Sequence, residues 1–256
     1  MLMKKTYLLL VFLVILCYSS CVDIEERYDF KDDGSCNVTY GFDMSRAVSV
    51  LANLMTDSVK ESPQFSLVKD TTLSFYNAIP DSSLLKLSPS EIELAKSSEL
   101  SVDMNLKRSV MKVTLNHIAK DANDLQYYLQ NVSKIALNGQ ISEVTTNAKA
   151  TKALDARQLV AGQDYYSYDI TPHKFYRIID KVKFNAFLKK TRSTFMMAKA
   201  MLIDMPYKLV LKFAHPVKKI DNSKAVLSAD RTEVTLVTSM DEVIKNPNLM
   251  NLKIDF

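Results

Sequence analysis

Three histidines, His117, His173 and His215, stand far apart in the chain, none in a metal-binding spacing such as His-Glu-x-x-His and none beside a cysteine pair. Each reads as structural, and no metal is expected. No serine sits in a Gly-x-Ser-x-Gly elbow, and four glycines in 256 residues leave no phosphate-cradling loop. Glu99 with Asp103, and Asp230 with Glu233, have the residue type for paired acid and base work. They fall at turns and on alternating, water-facing positions, where solvated charge is the expected role. Tyr165, Tyr166, Tyr168, Phe175 and Tyr176 offer apolar bodies with polar tips, suited to stacking sugars or meeting a partner, or else to packing between strands. Met196, Met197, Met201 and Met205 supply adaptable apolar surface for a lipid or a peptide, or core at helical spacing. These residues nominate no catalytic group and no cofactor.

The better-defined chemistry lies at the N-terminus. Lys4 and Lys5 precede an apolar run from Tyr7 to Leu16, followed by small polar residues and Cys21. The run is about half of the twenty or so residues that a helix needs to cross hydrocarbon. Asp23, Glu25, Glu26 and Asp29 then end the apolar segment. Residues 1–20 therefore read as a signal peptide rather than a membrane span. Tyr18-Ser19-Ser20-Cys21 resembles the lipobox of bacterial lipoproteins, in which small residues precede a cysteine that receives a diacylglyceryl thioether and becomes the mature N-terminus. Tyr18 stands where leucine is usual, a change that the relaxed lipoboxes of Bacteroidota tolerate. The resemblance implies cleavage before Cys21 and lipid on its sulfur; ordinary signal peptidase cleavage nearby is the alternative. Cys17 then leaves with the signal and Cys21 is consumed, so Cys36 has no disulfide partner and is expected to be buried and inert.

Loss of Lys4 and Lys5 lowers the formal charge from +4 to +2, which gives no electrostatic case for nucleic acid. The remaining 236 residues are enough for a sizeable core. Residues 21–31 read as a charged tether, and 32–256 as the domain it carries. Asp32-Asp33-Gly34-Ser35 is a turn signal before a strand at 37–42, and Val48, Leu51, Ala52 and Met55 recur at helical spacing. A short strand is expected at 73–79, and a helix start at Ser88-Pro89-Ser90-Glu91. Alternation over 100–106 and 110–118 predicts a hairpin turning at Lys107-Arg108-Ser109. A helix is predicted after Asp121. Residues 138–163 lack a period and read as a mobile insertion. Two strands are expected around Thr171-Pro172, then a helix with Phe184, Phe187, Leu188, Thr191, Phe195, Ala198 and Leu202 on one face. Strands from Tyr207, a short helix from Asp241 and a last strand to Phe256 complete an α+β fold, a mainly antiparallel sheet with interleaved helices.

Two groups of motifs resemble a class of Bacteroidota cell-envelope lipoproteins of unassigned function. One is Tyr28-Asp29-Phe30-Lys31-Asp32-Asp33-Gly34-Ser35 followed by Tyr40-Gly41-Phe42-Asp43-Met44-Ser45. The other is Pro216-Val217 through Leu227-Ser228-Ala229-Asp230 to Val234-Thr235-Leu236. The resemblance implies that the acidic-Gly-Ser turn joins two strands and that the Pro-Val bend opens a C-terminal hairpin. Cys36 replaces the glycine expected after the turn. The hairpin is also similar, more weakly, to LppM-like domains of lipid-associated lipoproteins. Cys21-Val22-Asp23-Ile24-Glu25-Glu26 resembles the acidic surface-export signals of that phylum, and Asp57-Ser58-Val59 and Asp70-Thr71-Thr72 match its short O-glycosylation motif. The expected function is a non-enzymatic binding or structural module, anchored by palmitate-bearing lipid at Cys21 on the outer membrane, periplasmic or surface-facing, with a protein partner in the envelope. A carrier or sensor of a hydrophobic ligand, held between the sheet and the 184–202 helix, is the alternative.

Overall fold

The computed structural model describes residues 22–63, 65–66, 68–79, 81–138, 165–200 and 205–256. Residues 1–20, expected as a signal peptide, Cys21 and all but the first residue of the expected insertion 138–163 lie outside them. The chain is α+β, with a large, mainly antiparallel sheet of eight strands and a second sheet of four.

Residues 21–31, expected as a tether, instead contain strand β1 (Asp23–Phe30), which lies inside the large sheet between β2 (Cys36–Asp43) and β8 (Pro206–Lys212). Asp23, Glu25, Arg27 and Asp29 all fall on its wetter face, while Ile24, Glu26, Tyr28 and Phe30 point into the core. A strand alternates faces at every residue, so the four outward charges are compatible with burial. Glu26 on the inner face obscured the pattern. Lys31 to Ser35 closes the β1–β2 hairpin, as the family resemblance implied: Lys31 N donates to Ser35 O at 2.9 Å and Gly34 N to Lys31 O at 3.1 Å. Gly34 has φ +85° there, a left-handed conformation open to glycine at little cost.

The large sheet runs β10 (Val226–Leu227), β11 (Glu233–Ser239), β8, β1, β2, β5 (Val110–Ala119), β4 (Ser98–Asn105) and β3 (Val68–Ser74). Helix α1 (Ser45–Leu54) leaves the end of β2, and a short α2 (Asp57–Lys60) leads to the edge strand β3 (Val68–Ser74). The strand expected at 73–79 thus lies earlier. Phe75, Ala78 and Ile79 bury themselves at helical spacing instead, the first two within a 3₁₀ turn over Phe75–Ala78. After α3 (Asp81–Leu84), α4 (Pro89–Lys96) starts where its sequence predicts, in a capping box between Ser88 and Glu91. Strands β4 (Ser98–Asn105) and β5 (Val110–Ala119) form the expected hairpin, turning at Leu106–Arg108 with Ser109 left-handed.

Helix α5 (Ala122–Asn138) buries Leu125, Tyr128, Leu129, Val132 and Ile135, a stripe at three- and four-residue spacing. It also satisfies an edge: Gln126 Oε1 accepts from Ile170 N of β6 (Tyr166–Thr171) at 3.0 Å. The small sheet runs β6-β7-β12-β9, with β7 Lys174–Ile179, β9 Lys219–Asp221 and β12 Leu252–Asp255. Helix α6 (Lys181–Ala200) buries Phe184 against Tyr165, ring centroids 5.0 Å apart. The Pro216-Val217 bend carries the chain from β8 to β9; Val217 O accepts from Arg231 Nη2 at 2.7 Å. Strands β10 (Val226–Leu227) and β11 (Glu233–Ser239) then form the C-terminal hairpin, followed by α7 (Met240–Lys245).

The core lies between the two sheets. Phe30 stacks on Phe213 at 5.0 Å and touches Phe175 and Phe256, so β1, β7 and the C-terminus meet in one aromatic cluster. Leu209, Leu211, Leu252, Ile254, Val234 and Leu236 are all fully buried, each such side chain stabilising the fold by about 1.5–3 kcal/mol.

Candidate functional site

The most unusual chemistry of the described residues is an ion pair sealed inside this core. Arg177 of β7 donates from Nη1 to Glu26 Oε2 of β1 at 2.8 Å, and the two side chains are 0% and 2% exposed. The same Nη1 donates to the Tyr207 hydroxyl at 3.1 Å, and Tyr28 donates from its hydroxyl to Glu26 Oε2 at 3.2 Å. The guanidinium lies over the Tyr166 ring, 4.5 Å from its centroid, a cation–π contact in a dry setting. Arg177 Nε and Nη2 make no hydrogen bond. Burial opposes the charge of Arg177, but its surroundings, Tyr207 first and then Tyr166 and Glu26, hold it protonated. Burial, then the Glu26 charge, pushes the Tyr28 hydroxyl well above its usual range, so it remains a donor.

Each member of this cluster is placed by a strand period. Glu26 occupies the inward phase of Ile24-x-Glu26-x-Tyr28, and Arg177 that of Phe175-x-Arg177-x-Ile179. The pair joins the large sheet to the small one. Both side chains are buried among the described residues, so the pair clamps the two sheets. Sequence reasoning did not nominate Glu26, Arg177, Tyr28, Tyr40, Tyr128 or Tyr207. The available signal was two opposite charges, each on the core phase of an otherwise apolar strand.

The residues nominated from sequence are spread apart. His117 is buried, stacked on Tyr128 at 4.1 Å with rings nearly parallel. Ser98 gives its single hydroxyl proton to Leu94 O at 2.8 Å, so the 3.1 Å contact between Ser98 Oγ and His117 Nδ1 takes its proton from the imidazole. Nε2 is then an unprotonated nitrogen without a partner. Burial holds the pKa of His117 below its ordinary value. His173 is exposed in the β6–β7 turn, and His215 meets Asp32 at the surface at 3.2 Å. Among the described residues no three His, Cys, Asp or Glu side chains converge as metal ligands. Cys36 is buried as expected, and burial pushes its thiol far up, so it stays protonated.

Glu99 and Asp103 share the wet face of β4, four residues and so about 13 Å apart along the strand. That exceeds the reach of paired acid and base carboxylates. Asp230 is a turn former: hydrogen bonds from Ser228 and Thr232 bring its pKa down to about 2. Of the aromatic group, Tyr165, Tyr166, Tyr168 and Phe175 are core, whereas Tyr176 lies on the opposite face of the small sheet and donates to Asp255 at 2.8 Å. Met196 is exposed on α6 and Met205 is half-buried; the side chains of Met197 and Met201 lie outside the described set. Ser58 is exposed in α2, while Thr71 pairs with the buried Val102 on the inner phase of β3, so Ser58 is the more accessible of the two glycosylation candidates.

Two cavities bear on ligand binding. One, of about 10 Å³, lies beside Glu26, Tyr28, Tyr40 and Tyr128, room for about one water. The other, of about 40 Å³, lies between the β1–β2 turn, the start of α5, Pro172 and Phe256. No helix among the described residues is long and apolar enough to cross a membrane. Compared with known proteins, the chain matches no family model, no curated protein and no solved structure.

Proposed function

We propose that this chain is a lipid-anchored cell-envelope protein, held on the outer membrane through Cys21, and that its domain is a non-enzymatic binding or structural module for a protein partner. The observation that carries the reading is the short distance from the candidate lipid site to the packed chain. Ser19-Ser20-Cys21 ends the signal-like segment, Val22 directly after it is only 2% exposed, and β1 starts at Asp23. Two or three acyl chains, each buried CH₂ contributing about 0.8 kcal/mol, then suffice for durable anchoring without a span.

A module is favoured over an enzyme because the strongest charge cluster, Glu26 with Arg177, is buried, and of the carboxylates nominated from sequence Glu99 and Asp103 stand apart and Asp230 forms a turn. A carrier of hydrophobic ligands calls for a cavity of several hundred Å³, more than the volumes of about 10 and 40 Å³ of the cavities beside Glu26 and beside Phe256.

Labelling with palmitate tests the anchor. The wild-type chain is expected to incorporate label, and Cys21→Ser to lose it and accumulate as uncut precursor. Continued labelling of the Cys21→Ser variant would overturn the reading. Crosslinking in the native cell followed by mass spectrometry tests the module: a reproducible envelope partner is expected, and a stoichiometric co-purifying lipid instead would favour the carrier.

A further inference from the structure

The connection between Cys21 and the fold has no slack. Consecutive Cα atoms are about 3.8 Å apart, and Val22 is already buried at the start of β1. We infer that the domain stands directly on the lipid surface, on the end of the large sheet where Val22 sits. This rests on Cys21 being lipidated, as proposed above.

The strand registers define that end. Asp23 of β1 pairs with Asp43 of β2, Asp43 with Lys112 of β5, and Lys112 with Asp103 of β4. Past this row the chain continues into the first turn of α1, with Arg46 exposed, and into the hairpin turn Leu106–Arg108, with Lys107 and Arg108 exposed. On the other side of β1, Pro206 of β8 pairs with Ser239 of β11, where α7 begins. The opposite end carries the Lys31 to Ser35 turn, the eight residues of β1 away, about 26 Å along the strand. A diacylglyceryl group on Cys21 sits at headgroup level, so the hairpin turn and the start of α1 are brought against the headgroups and the Gly34 turn is held away from them.

Charge does not orient the domain. Arg46, Lys107 and Arg108 fall at the same end of the sheet as the carboxylates Asp23 and Asp103, so the end carries both signs, and Lys112 is paired with Asp43 at 3.2 Å. The short covalent link is the cause, so the orientation is expected to persist at high salt. The partner of the module is then met on the sides or at the far pole, not on the end occupied by the bilayer.

The test uses the full precursor, processed in its host and reconstituted into phosphatidylethanolamine–phosphatidylglycerol vesicles. Arg108→Cys and Asp32→Cys place a nitroxide near and far from the membrane; Cys36 is buried and does not compete. The Arg108→Cys label is expected to be several-fold less accessible to an aqueous relaxation agent than the Asp32→Cys label, at low salt and in 1 M salt. A Gly-Ser segment of six residues inserted between Cys21 and Val22 is expected to remove the difference. Equal access with the native link, or greater shielding at Asp32→Cys, overturns the orientation. Palmitate content of the same samples separates the two readings: lipidated protein with equal access overturns the orientation alone, and unlipidated protein overturns both.

Discussion

Glu26 and Arg177 hold each other in the core, and removing either leaves a buried charge without its counter-ion. Breaking a buried pair costs about 3–5 kcal/mol, whereas replacing both partners by apolar side chains is often neutral. Glu26→Ala is therefore expected to lower Tm by roughly 6–20 °C in a domain of this size, and Glu26→Met with Arg177→Met to recover most of that loss. Calorimetry of the three proteins decides; a double variant as unstable as the single one would show that the pair is not the source of the loss. His117 makes a pH prediction. Its folded pKa lies below the unfolded value of about 6.5, so the unfolded state binds more protons as the pH falls. Stability is expected to be unaffected above pH 7 and to decline as the pH drops through about 6.5, because burial disfavours the charged imidazolium. His117→Phe keeps a ring against Tyr128 and is expected to flatten that decline in urea melts between pH 7.5 and 5.

Strand β1 decides whether the N-terminal segment belongs to the fold. It pairs along its whole length with β2 and in parallel with β8 over Ile24 to Asp29, and it supplies Tyr28 and Phe30 to the core. A chain beginning at Asp32 loses both ladders from the middle of the sheet. It is expected not to fold, with collapse of near-ultraviolet tyrosine dichroism and of amide dispersion. A stable, dispersed fragment would restore the tether reading. The start of α4 is legible in the sequence, since Ser88 and Glu91, three residues apart, close a capping box, whereas the Ser239–Glu242 box that opens α7 emerges from the structure.

At the scale of the whole molecule, one core joins the two sheets, and the buried Cys36 reports on it. On the proposed processing, which removes Cys17 and acylates Cys21, it is the remaining free thiol of the mature chain. Its burial raises the thiol far above the reactive range, and a protonated, enclosed sulfur does not react. Thiol labelling of the lipidated protein in urea is expected to follow the same transition as tyrosine dichroism. Labelling that runs ahead of the dichroism change would mean that the β1–β2 hairpin opens by itself, and the two sheets would then not unfold as a unit.

The sequence by itself determined the features that depend on near neighbours. The β4–β5 hairpin follows from alternation on both sides of Lys107-Arg108-Ser109, and the α4 start from Ser88 and Glu91. The Gly34 turn follows from the one residue type that accepts its φ without strain. The tertiary structure decided what depends on partners far apart in the chain. Whether Glu26 marks a solvated tether or a core strand is not a local property: its burial is tolerable because Arg177, 151 residues later, meets it at 2.8 Å. The tyrosines near Thr171 became core for the same reason, since the large sheet lies across their inner face. Cys21 is still the residue whose chemistry the sequence names. Only the fold shows that the chain behind it has no slack, because Val22 is already packed.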